Sequence, residues 1–285
     1  MFLTVNLLLI ASFVISLALA FYAWKRRPAS GSMEFLLLMV ATAWWSLTFA
    51  FEWSVAGLES KVFWAKMEYF GVANLSVLWM LLALRYTGRE KWLTRRNQLL
   101  FFIVPLLTLL AIWTNQYHHL MWRDVVIDTG GSVPVLVWDR GLWFWVFTVY
   151  TYTLLLLGSI FLLEAVFRSQ ELYRGQATVL LIGVLVPWIS NFLYLLGFDF
   201  VVALIPTPVL FTVTGIALAW GLFRFQLLDI VPVAHEAVLE SMADAVFVLD
   251  MQNRVIDLNP AAQQLVGRLS SEVVGEKLSR ALSMS

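Results

Sequence analysis

Residues 2–24 read FLTVNLLLIASFVISLALAFYAW, without a charge, and Lys25-Arg26-Arg27-Pro28 follows directly. A helix of about 20 apolar residues crosses the roughly 30 Å of a bilayer's hydrocarbon. The stretch is long enough to span, and it stops on cations. Ala18-Leu19-Ala20 fits a small-residue cleavage pattern, but no basic region precedes the apolar run. An uncleaved anchor with an outside N-terminus is therefore expected.

Six further stretches repeat the pattern: residues 35–51 (extended by 52–56), 62–84, 97–114, 141–163, 175–198 and 200–223. Only Asp199 and its apolar neighbours separate the last two, so a long re-entrant hairpin is the alternative to two spans there. The composition agrees with the run lengths. The chain is 61% hydrophobic and 13% charged, whereas a soluble domain has about 45–50% apolar and about 25% charged residues. Lys+Arg and Asp+Glu are equal at 19 each, so no global field draws a polyanion and no nucleic-acid partner is expected. The absence of Cys excludes disulfides, thiolate metal sites and Cys nucleophiles. The expected fold is an all-α polytopic membrane protein, a seven-helix transmembrane bundle over residues 1–223.

Orientation follows from Lys and Arg in the short loops. Lys25, Arg26, Arg27, Arg85, Arg89, Lys91, Arg95, Arg96, Arg168, Arg174 and Arg224 fall on one side; Lys61, Lys66, Arg123 and Arg140 fall on the other. The bias places the N-terminus outside and the C-terminus in the cytoplasm of a multi-pass inner-membrane protein. The basic loop Arg85–Arg96 is topogenic and lipid-facing on this reading, and Glu164 with Arg168 is a solvated helical pair. Trp24, Trp53, Trp64, Trp92, Trp113, Trp122, Trp138 and Trp143 sit near span ends, as an aromatic belt against lipid requires.

The tail is different chemistry. Residues 224–285 carry five basic and eight acidic residues and no run long enough to span. Leu227, Leu228, Val231, Ala234, Val238 and Met242 recur at helical steps, so a connecting helix over 225–242 is expected, started or kinked at Pro232. Two short strands, residues 245–250 and 254–258, then flank the turn Met251-Gln252-Asn253. Asn259-Pro260 reads as an N-cap and first helical residue, and Gly267 as the stop of that helix. A further short helix is expected over residues 270–275.

Polar residues at membrane depth cost roughly 2.5–3.5 kcal/mol each when charged, and so ask for a partner or a role. Glu52, Lys66 and Glu68 fall in the outer third of spans two and three, which a short loop joins. Glu52 is expected to pair with Lys66. Asn115 and His118 leave span four on the same side, and Asn191 and Tyr194 lie one turn apart in span six. Glu52, Lys66, Glu68, Tyr69, Asn115, His118, Asn191 and Tyr194 are therefore the candidate lining of an outer pocket for a small polar or amphipathic ligand. The alternative is an ion pair and hydrogen bonds that fix helix packing. Residues 115–140 are too long for a simple turn, and Val125-Val126-Ile127 and residues 133–137 read as a β-hairpin lid or an inert cap. His118-His119 lacks metal-ligand spacing, so no metal is expected.

The tail motifs Ala245 to Asp250, Asn253 to Leu258, Asn259-Pro260-Ala261-Ala262 and Val274-Gly275 resemble the start of a PAS domain. The whole chain resembles the seven-transmembrane N-terminal sensor region of bacterial and archaeal histidine kinases. The residues carrying this likeness are Glu52, Lys66, Glu68-Tyr69, Gly71, Asn115, His118, Trp122, Gly141, Trp143-Phe144, Gln176, Pro187, Asn191 and the junction Arg224-Phe225-Gln226-Leu227-Leu228-Asp229-Ile230-Val231-Pro232-Val233-Ala234. It departs from the family at Leu204-Ile205-Pro206, where an acidic residue often precedes the proline. The resemblance implies a sensory receptor, the input module of a two-component kinase, with residues 224–242 as a signalling helix and 243–285 as an incomplete α+β PAS segment. A PAS fold needs five strands, so a poorly packed tail, or a fragment of a longer protein, is expected. No phosphoacceptor helix and nothing to cradle nucleotide phosphates is present, so no catalytic residue, kinase activity or cofactor is expected in this chain. The implied partners are a small-molecule ligand, membrane lipid and a second copy, with Leu228, Val231 and Val238 as relay positions in a homodimer. Retinal is excluded because residues 200–223 hold no Lys, and intramembrane haem because no span holds a His. A small-solute transporter and a structural membrane protein remain the other classes.

Overall fold

The computed structural model describes residues 2–25, 31–130, 134–168, 185, 187–193, 206–224, 242–249, 253–269, 273–276 and 278–282. The chain divides into two compact units, Met1–Leu228 and Asp229–Ser285.

The first unit is a helical bundle. Helix α1, Phe2–Lys25, buries Val5, Leu9, Ser12, Ser16, Ala20 and Ala23, which recur at helical spacing. Its other face exposes Leu3, Leu7, Ile10, Val14 and Phe21. Small residues point inward and bulky apolar ones outward, the arrangement that lets helix backbones approach in a lipid solvent. Helix α2, Ser32–Ser54, and helix α3, Leu58–Tyr86, are joined by three residues and pack as antiparallel neighbours. Gly71 makes that packing close, since a Cβ there would stand 2.5 Å from the Ala41 carbonyl oxygen. Leu75 to Leu84 are buried without interruption, so α3 is the bundle's central helix.

Helix α4, Arg95–Trp113, starts on Thr94, whose hydroxyl accepts from the Asn97 amide, and helix α5, Asn115–His118, adds one turn. The expected hairpin is present: β1, Trp122–Asp128, pairs antiparallel with β2, Val135–Arg140. Gly141 lets the chain leave β2, because a Cβ there would meet the Leu120 carbonyl oxygen at 2.2 Å. Helix α6, Leu142–Arg168, and helix α7, Thr207–Arg224, complete the unit with the helical residues 187–193.

Five of these helices, α1 to α4 and α6, are long and apolar enough to cross a membrane, and residues Thr207–Trp220 form a shorter apolar helix. The protein is multi-pass. Most of the expected sixth span, and residues 200–205 of the seventh, lie outside the described residues, as does Arg174.

Ion pairs mark one end of the bundle. Arg85 donates to Glu34 at 2.7 Å and lies 3.7 Å from Glu90, and Arg89 Nη2 donates to Glu164. Arg85 and Arg89 of the loop expected to face lipid thus tie α3 and its following loop to α2 and α6, and Glu164, expected to pair with Arg168 in solvent, meets Arg89, because three helix ends converge there. The Arg168 side chain lies outside the described residues. Val209 in α7 packs with Val5 and Ala50 at the opposite end, so α6 ends and α7 begins at opposite ends of the bundle.

The second unit contains the hairpin of β3, Phe247–Leu249, and β4, Val255–Leu258, with Asn253 left-handed in the turn. Helix α8, Pro260–Val266, is capped by Asn259, whose side chain accepts from Ala262 N, and ends on left-handed Gly267. Helix α9 is Leu278–Leu282. Contrary to the expected poor packing, Val255, Leu258, Ala262, Val266 and Val273 form a buried cluster. The reason is the covering helix: α8 and the Val273 turn close over a face that two strands alone would leave wet. Val255 also exchanges backbone hydrogen bonds with Gly275 and Glu276, which extends pairing along β4. The expected connecting helix falls almost wholly outside the described residues, and Met242 at its end is not helical.

Candidate functional site

A cavity of about 200 Å³ opens inside the bundle beneath the hairpin. Helical periodicity builds its walls. Ala65, Glu68, Tyr69, Val72 and Ser76 come from one face of α3, and Phe144, Phe147, Thr148, Thr151, Tyr152 and Leu155 from one face of α6. Trp45 of α2, Phe211 of α7, and Pro187, Trp188 and Asn191 close the sides, and Trp122 and Trp138 of the hairpin close the top.

Aromatic rings dominate this lining. Trp122 stacks on Trp138 at 5.2 Å between centroids and meets Tyr69 edge-on at 6.0 Å. Tyr152 meets Trp188 edge-on at 6.3 Å. The polar groups are of two kinds. Some are paired: Trp45 Nε1 donates to Glu68 Oε2 at 3.2 Å, and Tyr152 Oη donates to Asn191 Oδ1 at 2.9 Å. Others are not: Ser76 Oγ, Thr151 Oγ1, Trp122 Nε1 and Trp188 Nε1 are buried with no hydrogen-bond partner among the described residues. A buried polar group left unpaired costs about 1–3 kcal/mol, and such groups are rare in folded proteins. Among the described residues, four of the seven such side-chain atoms belong to the lining of this one cavity, whereas Trp79 Nε1, Ser159 Oγ and Ser190 Oγ do not.

The structure sorts the sequence's candidates. Glu68, Tyr69 and Asn191 line the cavity together. Glu52 and Lys66 do not, and they do not pair. Lys61 Nζ donates to the Glu52 carbonyl oxygen at 2.8 Å and lies 3.4 Å from its carboxylate. The reason is helix phase. Helix α3 starts at Leu58, earlier than the apolar run suggests, so Lys61 is helical and faces α2. Lys66 turns outward to lie 5.9 Å from the Trp113 ring centre.

Asn115 is a clamp rather than a pocket residue. Its Oδ1 accepts from Met121 N and Trp122 N, and its Nδ2 donates to the Trp122 carbonyl. His118 closes the same corner: its Nδ1 accepts from Leu120 N, and its Nε2 lies 3.0 Å from the Thr114 hydroxyl. Both residues set where the hairpin leaves α5. Tyr194, Leu228, Val231 and Val238 lie outside the described residues.

Sequence reasoning missed Trp45, Ser76, Thr151 and Trp188, and assigned Trp122 and Trp138 to the lipid belt. Trp122 is only 1% exposed, while Trp24 and Trp92 are exposed as a belt requires. A usable signal existed in α6. Thr148, Thr151 and Tyr152 form a polar stripe at helical spacing within an otherwise apolar span.

Residues 8–232 match the family model described as the N-terminal 7TM region of histidine kinase, and residues 235–284 match a PAS domain model. A search of curated proteins finds no match.

Proposed function

Because this chain belongs to the family of N-terminal seven-transmembrane regions of histidine kinases, and is a membrane sensory input module that carries a PAS domain, we propose that the cavity beneath the hairpin receives a small ligand from outside the cell. On this reading the hairpin faces outward and the PAS unit lies in the cytoplasm of the inner membrane, as the Lys and Arg distribution implies. The single observation that carries the reading is the set of four unpaired polar atoms around one aromatic cavity.

Three elements that end the cavity also carry the relay. Trp45, Phe211 and Thr151 place α2, α7 and α6 around the same space. Phe211 and Trp45 touch, with ring centres 5.9 Å apart. A ligand that separates or joins these rings biases α7, which leads toward the PAS unit. Only a ligand that binds two packing states unequally can move that equilibrium. Residues 225–242 then deliver the shift between two copies of the chain. Two hydroxyl contacts already tie α7 to α1: Ser16 Oγ lies 2.9 Å from Thr212 Oγ1, and Ser12 Oγ also meets Thr212.

The absence of cysteine allows a clean test. Single cysteines at Leu228 or Val238 are oxidatively crosslinked in native membranes, in the parent chain and in a cavity-filled Thr151→Trp chain. Different crosslinking between the two supports the relay. Equal crosslinking, or none, overturns it.

A further inference from the structure

We propose that the ligand of this cavity is a small organic cation, an amine or quaternary ammonium, that also carries an acceptor oxygen. The inference rests on the cavity being a ligand site, and it names the ligand's chemistry from two independent features.

The first is charge. Glu68 lines the cavity at membrane depth, and its hydrogen-bond partner is the neutral indole N–H of Trp45. Among the described residues no cation pairs with it. Lys61 is committed to Glu52, Lys66 lies over Trp113, and Arg85 and Arg89 serve the far end of α3. The Glu68 carboxyl group therefore has no counter-charge among the described residues, whereas ionised residues at this depth usually have one, and a bound cation would supply it. The walls around it are aromatic. The faces of Trp, Tyr and Phe attract a cation within about 6 Å, and aromatic cages are the usual receptor for methylated ammonium groups. Among the described residues the lining itself holds one acid and no base, and Arg140 lies over the Phe144 ring at 5.6 Å from its centre.

The second feature is hydrogen bonding. Trp122 Nε1 and Trp188 Nε1 can only donate, and both are buried without an acceptor. The hydroxyls of Ser76 and Thr151 are free to donate or accept. A bare ammonium satisfies neither indole. A cation with a hydroxyl, carbonyl or ester oxygen satisfies the acid, the rings and the indoles together. The cavity is small, but it exceeds by many times the roughly 10–15 Å³ that one water needs on this measure.

The test uses the full chain in nanodiscs of phosphatidylglycerol, which carries no ammonium group, with tryptophan fluorescence as readout. Choline, acetylcholine and tetramethylammonium are titrated against 3,3-dimethylbutan-1-ol, the neutral carbon isostere of choline. Choline or acetylcholine should bind, with the neutral isostere weaker by about tenfold or more. Tetramethylammonium, which lacks an oxygen, should fall below choline. Glu68→Gln should reduce the cation's advantage to what the aromatic walls alone provide, while leaving the isostere's binding unchanged. Trp188→Phe, which keeps a ring but removes the N–H, should bring choline and tetramethylammonium closer together.

Equal affinity for choline and its isostere, an ineffective Glu68→Gln, or no binding of any ammonium probe overturns the proposal. Repeating the titration in phosphatidylcholine nanodiscs separates the sources of the same chemistry. Loss of choline binding there assigns the site to a lipid headgroup, and its retention assigns it to a soluble cation. The crosslinking result keeps the two readings apart. If Thr151→Trp alters crosslinking but no ammonium binds, the cavity remains the ligand site and only the cation assignment falls.

Discussion

Two sets of polar side chains share one apolar bundle, and they are finished differently. The first set is closed. Glu52 meets Lys61, Asn115 saturates the backbone of Met121 and Trp122, and Ser12 bridges Ser46 at 2.7 Å and also Thr212. The second set, around the cavity, leaves Ser76, Thr151, Trp122 and Trp188 each with a polar atom unanswered. Both sets are buried, so burial does not distinguish them. Completeness does. A closed set specifies which helix faces meet, whereas the open one is the basis of the proposal that this cavity takes a ligand.

Variants can break or sharpen this contrast, and the largest effect belongs to the closed set. Lys61→Met leaves Glu52 buried without its cation and should cost about 3–5 kcal/mol, read as a fall in Tm in detergent. Adding Glu52→Met should recover much of the loss, and a single variant as stable as the parent would show that the pair is not closed. Next comes Asn115→Ala, which strands two buried amide protons and a carbonyl. It should cost about 1–3 kcal/mol and speed hydrogen exchange at Met121 and Trp122. Thr212→Val cuts the link between α1 and α7 and should cost about 0.6–1.7 kcal/mol, the range for interhelical hydrogen bonds in membranes. The open set should behave oppositely. Ser76→Ala deletes an atom that has no partner among the described residues, so stability should stay within about 0.5 kcal/mol of the parent or rise. A loss above that range would mean that the Ser76 hydroxyl is already satisfied.

The smallest effect lies in the second unit. A hydrogen bond from Arg268, at 3.1 Å, holds the Glu276 carboxyl below the usual carboxylate range. A group lowered in this way stabilises the folded form above its ordinary titration range, and the gain is lost as pH falls through the lowered value. The hydrogen-exchange protection factor at Val255, whose amide donates to the Glu276 carbonyl, should therefore fall on acidification once the intrinsic pH dependence of exchange is divided out. Arg268→Met should abolish most of that pH dependence.

Legibility followed the range of the interaction. The membrane helices, the hairpin near Gly130, the Asn259 cap and the Gly267 stop are all local, and the sequence pattern identifies them directly. Glu68, Tyr69 and Asn191 were legible as polar residues at depth. Their company was not. Trp45 and Trp188 look like any other aromatic residue in a span, because nothing local says that they turn toward α3 and α6.

Glu52 shows where that boundary falls. Apolar run lengths and the intervening break were enough to establish two adjacent antiparallel helices with acid and base near their turn. Which lysine meets the acid depended on where α3 begins and how it is rotated against α2. Three or four residues of helix start shift a side chain around the axis, and only close packing, through Gly71 against Ala41 and Lys61 against Glu52, selects one rotation. One-dimensional hydrophobicity determines that a helix enters the bilayer. Its azimuth, and with it the wall of the cavity, is decided by what the neighbouring helices leave room for.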